Sequence, residues 1–504
     1  MRKSFLLTIV ALVSLSAAAL VPPRDMSRWT EWQEALAERQ HEETQPVNHT
    51  GGGKLAPMAE KAVGQRVIIP RILLITISFS DFAFTTPKAD VDSMFNGQDW
   101  TKDGATGSIR QYFYDQSMGE YAPIFDVVGP VTLSHGYAYY GSGKDSHTNI
   151  SNMVCEACSL VNDSVDFSVY DSDGDGYVDL VYIYYAGFGA NDRPNDYTES
   201  LIPNWDNLLW PAYWSVSSSS SPRYFDGKYI SACEYSNELD AWYTTADNTV
   251  VAGIGTACHE FGHALGLPDL YTTDNATHKV LGDWDVMCYG LYNNDTHTPP
   301  SFSAYERFYM GWLTPTLITN RANLQLENLA TSNQAYMISE NDTHNMNGLN
   351  PDPSVFYLLE NRQQAGWDIG IPGSGLMLTR INYNSSKWSN NTVNNTANAM
   401  GVDIIEADGL TPSYNNNGYF GKSGDLFPSG ATEYLGISEH AIEQITMDTG
   451  VVSFAYRGGD TIEVVTALPA NKQSGVVSKC LRNGKVLIIS PNGVYNLLGI
   501  KQED

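Results

Sequence analysis

The sequence predicts the α+β fold class. A first region that mixes helices and strands is followed by an all-β sandwich and then by a small β-rich C-terminal segment. Three observations support this fold class. Up to about residue 316, apolar β-branched runs alternate with helical stretches. From about residue 317, short alternating strands are separated by Asn-rich loops, which is typical of a sandwich and continues to about residue 458. Residues 459–504 hold two or three more strands.

The length and charge of the chain limit the classes of function to consider. With 504 residues the chain is too long for one compact core, so we expect two or more domains. The sequence has 29 basic and 57 acidic residues and a net charge of -28, which argues against nucleic acid or an anionic membrane as partner. Such a charge suits a soluble protein in a salty, calcium-bearing medium, or it reflects solubility alone.

The first 19 residues have the pattern of a secretory signal peptide. A basic head, Met1–Lys3, precedes an apolar run that is short for a membrane span, and Ala17–Ala19 supplies small residues for cleavage near Ala19. No later segment is long and apolar enough to cross a membrane. We therefore expect an exported protein, secreted or extracellular.

Residues 20–66 are polar and give no sign of a core. A helical piece is predicted around Trp29–Arg39. Between a signal peptide and an enzyme such a segment is commonly a pro-segment that blocks the site, although a flexible linker fits equally well. Its one aspartate, Asp25, is a candidate switch onto a metal, and cleavage after Lys61 or Arg66 would release the segment.

The next stretch, beginning at residue 67, predicts alternating strands and helices. Val67–Phe79 is a β-branched apolar run, hence a buried strand. Gly107–Gly119 predicts a helix with Ser108 as its N-cap. Strands are expected over Tyr121–Leu133, and a helix carries Met153–Val161.

An acidic loop follows at residues 171–179. Four carboxylates occupy positions one, three, five and nine, with Gly176 at position six, as in the first part of an EF-hand loop. Position twelve is Tyr182 rather than Glu, so a calcium loop outside a true EF-hand is predicted; a solvated acidic turn is the alternative. The candidate calcium ligands are Asp171, Asp173, Asp175, Tyr177 and Asp179.

The most specific pattern is H-E-x-x-H at residues 259–263. On a helix, His259 and His263 lie one turn apart on the same face and can bind one zinc ion. Glu260 sits beside that face, where it can reach a water on the metal. A chance match on a surface helix is the alternative, and the small, apolar residues before the helix oppose it.

The chain turns directly after this helix. Gly266 and Pro268 stop the helix, so Asp269 can swing back as a third ligand. Three protein ligands leave one coordination position open, which marks a catalytic rather than a structural zinc. A tight turn at Gly282–Gly290 is centred on Met287.

The cysteines do not form a disulfide framework. Six cysteines are few for a secreted chain of this length. Cys155 and Cys158 form a C-x-x-C pair with no second pair at zinc-knuckle spacing, so we expect a local disulfide or free thiols.

The remaining elements complete the predicted order. A helix is expected over Ser303–Met310, closed by Gly311. In the β-rich part, strands are predicted at Ala335–Ile338, Val355–Glu360 and Gly375–Ile381.

The extended zinc sequence and the downstream Met turn resemble the metzincin clan of zinc peptidases. More closely, the chain resembles the immune inhibitor A family of secreted bacterial metallopeptidases over most of residues 67–457. Other stretches that carry this resemblance are Ser80–Phe82, Gly107–Gly119, Asp171–Asp179, Gly311–Leu313, Glu360–Gln363, Pro372–Leu376 and Gly424–Pro428.

The resemblance implies zinc ligation by His259, His263 and Asp269, with Glu260 catalytic. It implies Met287 beneath the metal as a hydrophobic floor. Tyr289 falls where astacin-like relatives carry a tyrosine near the zinc, with core packing as the alternative.

The resemblance also implies a metzincin-like catalytic domain over residues 67–316, before the predicted sandwich at 317–458. Residues 459–504 resemble the C-terminal sorting tails of Bacteroidetes secreted proteins, which implies attachment to the cell surface.

These patterns predict a secreted zinc endopeptidase that acts on proteins or peptides. A metal-activated water would attack the peptide bond with Glu260 as general base. An exported adhesin or glycan-binding protein with a degenerate peptidase domain is the alternative, but binding alone requires no Glu260.

Overall fold

A computed structural model describes residues 19–24, 70–141, 146–202, 205–274, 278, 280–409, 421–459, 478–482, 485–490 and 493–496. The predicted signal peptide before residue 19 lies outside the described residues. So does most of the predicted pro-segment, including its helix at residues 29–39 and Asp25.

The helices and strands alternate as far as residue 309, and short strands dominate beyond it. The helices are α1 (Lys88–Asn96), α2 (Ile109–Gln116), α3 (Tyr137–Gly141), α4 (Ser146–Val161), α5 (Asp196–Leu201), α6 (Gly255–Ala264), α7 (Ala304–Tyr309), α8 (Leu329–Ser332) and α9 (Ser385–Ser389). Short 3-10 helices cover Lys102–Gly104, Phe167–Tyr170, Trp205–Asn207, Gly282–Trp284, Tyr289–Tyr292, Gly366–Gly370, Ala397–Ala399 and Ser423–Asp425.

The strands of the first part are β1 (Ala19–Leu20), β2 (Arg71–Ser78), β3 (Ile124–Thr132), β4 (Tyr177–Val178), β5 (Val181–Tyr185), β6 (Ala212–Ser215), β7 (Tyr224–Phe225), β8 (Lys228–Ile230) and β9 (Ala232–Asn237). Those of the second part are β10 (Thr316–Leu317), β11 (Ala322–Leu326), β12 (Ala335–Ile338), β13 (Val355–Arg362), β14 (Gly375–Asn382), β15 (Val402–Ile404), β16 (Ile442–Asp448) and β17 (Val451–Tyr456). The last three are β18 (Ser478–Arg482), β19 (Lys485–Ser490) and β20 (Gly493–Asn496).

A six-stranded mixed sheet forms the frame of the first part, in the order β1-β6-β9-β5-β2-β3. Strands β3, β2, β5 and β9 run parallel, while β6 and β1 are antiparallel to their neighbours. Strand β2 is buried from Ile72 to Ser78, as its continuous apolar sequence predicts for a central strand covered on both faces. At one end of the sheet, β6 lies between β9 and the two-residue strand β1.

Helix α2 shows how local sequence sets the boundaries of an element. The Ser108 side chain accepts a hydrogen bond from the backbone N–H of Gln111, which confirms the predicted N-cap. The helix ends at Gln116, and Gly119 has φ +85°, a conformation that favours glycine. Helix α7 begins in a similar way, with a capping box between Ser303 and Glu306.

Two more sheets lie in the β-rich part. One has the order β10-β12-β13-β14-β15 and the other β11-β17-β16. Along β13 the side chains alternate between two hydrophobic cores: Phe356 and Leu358 join the core of the first part, and Tyr357 and Leu359 join a second core with β11, β16 and β17. The five-stranded sheet therefore has apolar side chains on both faces, and one face packs on the part of the chain that carries α6.

The described residues fall into two compact units. Residues 19–24 and 70–459 belong to one unit, and β18, β19 and β20 form an antiparallel three-stranded sheet in the other. Cys155 and Cys158 are buried free thiols, which decides between the two predicted states of this pair. Among the described residues, no helix combines the length and apolar character required to cross a membrane.

Candidate metal centre

Helix α6 carries the H-E-x-x-H sequence and is buried along its whole length. It begins at Gly255, whose N–H donates to the carbonyl oxygen of Thr296. The Thr296 hydroxyl accepts a second hydrogen bond from Gly253 N–H. A Cβ at Gly255 would lie 1.8 Å from the Leu291 carbonyl oxygen, so only glycine fits at this start.

The helix ends where the sequence predicts a turn. Gly266 has φ +94°. Its N–H donates to the His263 carbonyl, and the Leu267 N–H donates to the Gly262 carbonyl. These bonds close the last turn and reverse the chain. The reversal brings Asp269 back towards the helix.

The structure brings His259, His263 and Asp269 together. The two Nε2 atoms are 3.2 Å apart, and Asp269 Oδ1 lies 3.2 Å from His259 Nε2 and 3.1 Å from His263 Nε2. Ligands at the usual zinc bond lengths in a tetrahedral arrangement would be separated by about 3.3 Å. The two nitrogens and one oxygen therefore fit a single tetrahedral metal ion in donor type and in spacing.

The hydrogen bonds behind the two imidazoles orient their rings. His259 Nδ1 lies 2.7 Å from the Val286 carbonyl oxygen, and His263 Nδ1 lies 2.8 Å from the Leu267 carbonyl oxygen. A carbonyl oxygen only accepts, so each Nδ1 carries a proton, and in the neutral ring each Nε2 then has a lone pair for a metal ion. This is the tautomer that a metal-binding histidine needs.

Asn391 holds the carboxylate of Asp269 from the β-rich part of the chain. Its side-chain Nδ2 donates to Asp269 Oδ2 at 2.5 Å, and its Oδ1 accepts from the Asp269 backbone N–H at 2.7 Å. Both residues are buried. Sequence reasoning did not identify Asn391, because the two residues are 122 positions apart.

The electrostatics of the cluster favour a positive charge beside Asp269. Burial lowers the pKa of His259. Burial also opposes the charged form of His263, but the attraction of Asp269 raises the pKa of His263 to about 9. Burial opposes the charged form of Asp269 as well, yet the two imidazoles hold the pKa of its carboxyl below its usual range. A divalent cation would supply the same positive charge.

Glu260 follows His259 on the helix and is buried. Its Oε2 accepts a hydrogen bond from the backbone N–H of Tyr213 in β6. This contact joins the carboxylate to strand β6 of the central sheet.

Met287 packs against helix α6 at Gly262, which precedes His263 in the sequence. It is buried, and its carbonyl oxygen accepts a hydrogen bond of 2.8 Å from Leu270 N–H. A Cβ built on Gly262 would lie 2.6 Å from Met287 Sδ, so the thioether fills the space left by that glycine.

Two tyrosines lie near the cluster. The Tyr271 ring is stacked on the His259 ring with centroids 6.2 Å apart and an interplanar angle of 17°. The Tyr289 ring lies 6.4 Å from that of Tyr271 and is buried. The resemblance pointed to Tyr289 alone. The position of Tyr271, two residues after Asp269, was the signal that would have identified it.

The acidic loop converges only in part. Asp171, Asp173 and Asp179 present oxygens within 4.8 Å of one another, whereas Asp175 is not in this group. Lys228 Nζ lies 2.5 Å from Asp171 Oδ2, so a protein cation already contacts the cluster. Tyr177 lies in β4, and its N–H donates to Asp175 Oδ1.

Comparison with known proteins shows that part of the chain is similar to a described family. Residues 90–313 match the family model described as immune inhibitor A peptidase M6, catalytic domain. The resemblance predicted from the sequence is thereby confirmed over these residues. The match contains helix α6, Asp269 and Met287, but it ends before Asn391.

Curated relatives match at modest identity. The chain is 26% identical over 305 residues to immune inhibitor A of Bacillus thuringiensis subsp. alesti, covering 52% of this chain and 43% of that protein. It is 25% identical over 256 residues to pre-pro-metalloprotease PrtV of Vibrio cholerae, covering 46% of this chain and 25% of that protein. The chain therefore spans less than half the length of these relatives.

Proposed function

We propose that the chain is a secreted zinc-dependent endopeptidase, because residues 90–313 match the family model described as immune inhibitor A peptidase M6, catalytic domain. It would hydrolyse peptide bonds in proteins. The observation that carries the proposal is the convergence of His259, His263 and Asp269 within 3.2 Å, with Glu260 on the same helix.

The roles of the residues follow from their positions. His259 and His263 would hold the ion through Nε2 and Asp269 through Oδ1, while Asn391 keeps the Asp269 carboxylate in place. When bound, zinc would lower the pKa of a coordinated water to about 7 and polarise the scissile carbonyl. Glu260 would accept the proton of the attacking water and return it to the leaving amine.

The surroundings of Glu260 suit this role. The carboxylate is buried, and one oxygen is fixed by the Tyr213 N–H. Strand β6 is also where an extended peptide can add to the central sheet, since β1 pairs with it there. A substrate paired in this way would pass beside the carboxylate. The Tyr271 ring is stacked on the His259 ring, and the Tyr289 ring lies 6.4 Å from that of Tyr271. On this placement we assign Tyr289 a supporting catalytic role.

The test of the proposal is casein hydrolysis with metal analysis. We expect Glu260→Gln to retain its metal and its melting temperature but to lose turnover by at least about 100-fold, the lower range for a general base. Glu327→Gln, at an exposed position, is the matched control. Chelation should stop the wild type and zinc should restore it. A metal-loaded wild type that cleaves nothing would favour the alternative of an exported binding protein.

We further propose the finer organisation of the chain. Residues 1–19 act as signal peptide, 20–66 as pro-segment, 67–316 as catalytic domain, 317–458 as β-sandwich and 459–504 as a sorting tail. The hydrophobic core that the five-stranded and three-stranded sheets share supports the sandwich. N-terminal sequencing of exported protein tests the first two boundaries. A crystal structure with those two sheets edge to edge would contradict the sandwich.

We also propose that the acidic loop binds calcium in a structural role. The clustering of Asp171, Asp173 and Asp179 supports it, because carboxylates this close repel one another without a cation. The contact of Lys228 with Asp171 already offsets part of this charge. We therefore expect weak binding.

A further inference from the structure

Residues 19–24 begin as strand β1 at the edge of the central sheet, next to the candidate metal centre. Ala19 and Leu20 pair antiparallel with Tyr213 and Ala212 of β6. Tyr213 is the residue whose N–H donates to Glu260. The Leu20 carbonyl accepts a hydrogen bond from the hydroxyl of Tyr271, the ring stacked on His259. The segment thus runs past the residues assigned to catalysis.

The main chain of this segment is held like that of a bound peptide. The Val21 carbonyl accepts a hydrogen bond of 2.8 Å from Trp210 Nε1, and the Pro22 carbonyl accepts one from the Tyr292 hydroxyl. Leu20 and Val21 are fully buried. Sheet-edge pairing combined with side-chain burial is a common mode of peptide recognition.

Arg24 ends the described segment in an acidic pocket. Its Nη1 lies 2.9 Å from Asp192 Oδ1 and 2.8 Å from Asp240 Oδ2, and its Nη2 lies 3.2 Å from Asp295 Oδ1. The side chains of Asp192 and Asp240 are 7% and 2% exposed, whereas Asp295 is 52% exposed and forms the rim. The Arg24 N–H donates to the Asn191 carbonyl at 2.8 Å.

Backbone N–H groups outside the N-terminal segment also hold the two buried carboxylates in place. Asp192 Oδ2 accepts a hydrogen bond from Ala241 N–H at 2.6 Å, and Asp240 Oδ1 accepts one from Tyr243 N–H at 2.9 Å. Each carboxylate therefore keeps its orientation without Arg24. What Arg24 supplies is charge: two buried carboxylates side by side repel, and a cation between them removes that cost.

The pKa values of Asp192 and Arg24 reflect the charges of the pocket. Burial and the charge of Asp240 raise the pKa of Asp192 even with Arg24 present. Burial opposes the charged form of Arg24, but the two aspartates raise its pKa above the ordinary value. A neutral side chain in the same place would leave both carboxylates uncompensated.

We propose that Asp192 and Asp240, with Asp295 at the rim, form a specificity subsite that binds a basic side chain of the peptide substrate. Arg24 occupies this subsite as part of the chain's own N-terminal segment. The inference deepens the proposed peptidase function and rests on it for the word substrate. It assigns a recognition role to residues that the zinc sequence does not include.

The geometry also predicts where the basic residue lies. Arg24 follows Leu20 by four positions, a span of at most about 14 Å in an extended chain. A substrate that runs in the same direction would carry its basic residue four positions C-terminal to the residue that pairs with Ala212. Arginine should bind better than lysine, because its forked head reaches all three carboxylates.

The test uses a labelled peptide with the sequence Leu-Val-Pro-Pro-Arg and a copy in which neutral citrulline replaces arginine. Binding is measured by fluorescence anisotropy to the full chain carrying Arg24→Ala, which empties the pocket. We expect the arginine peptide to bind roughly 30-fold or more tightly than the citrulline peptide, as expected when one partner of a buried charge pair is lost. Wild type, with Arg24 in place, should bind the arginine peptide more weakly than Arg24→Ala does.

Variants of the pocket locate the effect. Adding Asp240→Asn or Asp192→Asn to Arg24→Ala should remove most of the preference for arginine over citrulline. Adding Asp247→Asn, at an exposed aspartate seven positions after Asp240, should leave it unchanged. Melting temperatures establish whether each variant is folded. The comparison of the two peptides on Arg24→Ala does not depend on the folding of any pocket variant.

The outcomes separate this inference from the proposed function. Equal measured affinity of the two peptides for Arg24→Ala overturns the subsite. A preference for arginine that survives both Asp→Asn changes overturns it too. A preference for arginine in a protein that hydrolyses no peptide supports the subsite and contradicts the peptidase proposal. Hydrolysis of casein without a preference for arginine supports the peptidase proposal and contradicts the subsite.

Discussion

Two groups of potential metal ligands each come from a short stretch of chain, and they differ in burial. His259, His263 and Asp269 are 0%, 7% and 0% exposed. In the acidic loop Asp179 is buried, but Asp171 is half-buried and Asp173 is exposed. Both groups bring their ligand atoms within 4.8 Å of one another. Proximity alone therefore does not distinguish them.

The groups differ further in what surrounds them. In the buried group each ligand is oriented by one partner: carbonyl oxygens for the histidines and Asn391 for Asp269. In the acidic loop, Lys228 and the N–H groups of the loop already bond to Asp171. The ligand atoms of the first group converge on one point, whereas in the second group Lys228 and backbone N–H groups already compensate much of the charge of Asp171. We therefore expect tight metal binding at the first and weak binding at the second.

The largest expected effect is the loss of a histidine from the buried group. His263→Ala leaves two ligands and should give a protein without zinc after dialysis, because a catalytic site needs three. Elemental analysis of the purified variant measures this, with circular dichroism to establish that it is folded. A full complement of zinc would exclude His263 as a ligand.

The next effect concerns the residue that orients Asp269. Asn391 has φ +53°, so glycine is the substitution that removes its side chain without backbone strain. Asn391→Gly should lower zinc affinity or activity by about 10- to 100-fold, the usual cost of losing a partner of a metal ligand. Competition with a zinc-binding dye measures the affinity. Asn390→Gly, next to it and exposed, is the control and should behave as wild type.

A smaller effect is expected beneath the helix. Gly262→Ala places a methyl group 2.6 Å from Met287 Sδ and should lower the free energy of unfolding by about 1–3 kcal/mol. Thermal unfolding measures the loss. Adding Met287→Ala frees the space, so the double variant should lose less than the sum of the two single changes. Strict additivity would show that the two side chains do not compete for this space.

The smallest effect is expected at the acidic loop. If its calcium affinity is in the millimolar range of extracellular sites, a few millimolar calcium adds only about 1 kcal/mol to stability. The melting temperature, measured with and without calcium in zinc-loaded protein, should rise slightly in wild type and not in Asp173→Asn. An identical rise in both proteins would count against the loop as the binding site.

The local part of this architecture was predictable from the sequence. The cap at Ser108, the buried strand Arg71–Ser78 and the turn at Gly266 follow from propensities and spacings within a few residues. The approach of Asp269 to the histidines has the same origin, because a helix end and a glycine turn decide it.

The remaining contacts could not be predicted, because they join distant parts of the chain. Asn391 lies 122 positions from Asp269, and Arg24 lies 168 and 216 positions from Asp192 and Asp240. No periodicity carries information over such separations. The Asn-rich loops of the β-rich part gave no sign that one asparagine contacts the metal centre.

The five-stranded sheet β10-β12-β13-β14-β15 has a consequence for shortened forms of the protein. A chain cut at residue 316, where the sequence changes character, would lose the strands that cover the first core and the asparagine that steadies Asp269. The smallest fragment able to keep its metal centre intact thus reaches at least to residue 391, far past the last residue of the family match. Removing residues from the C-terminal end of the chain should lower its affinity for zinc well before it removes any zinc ligand.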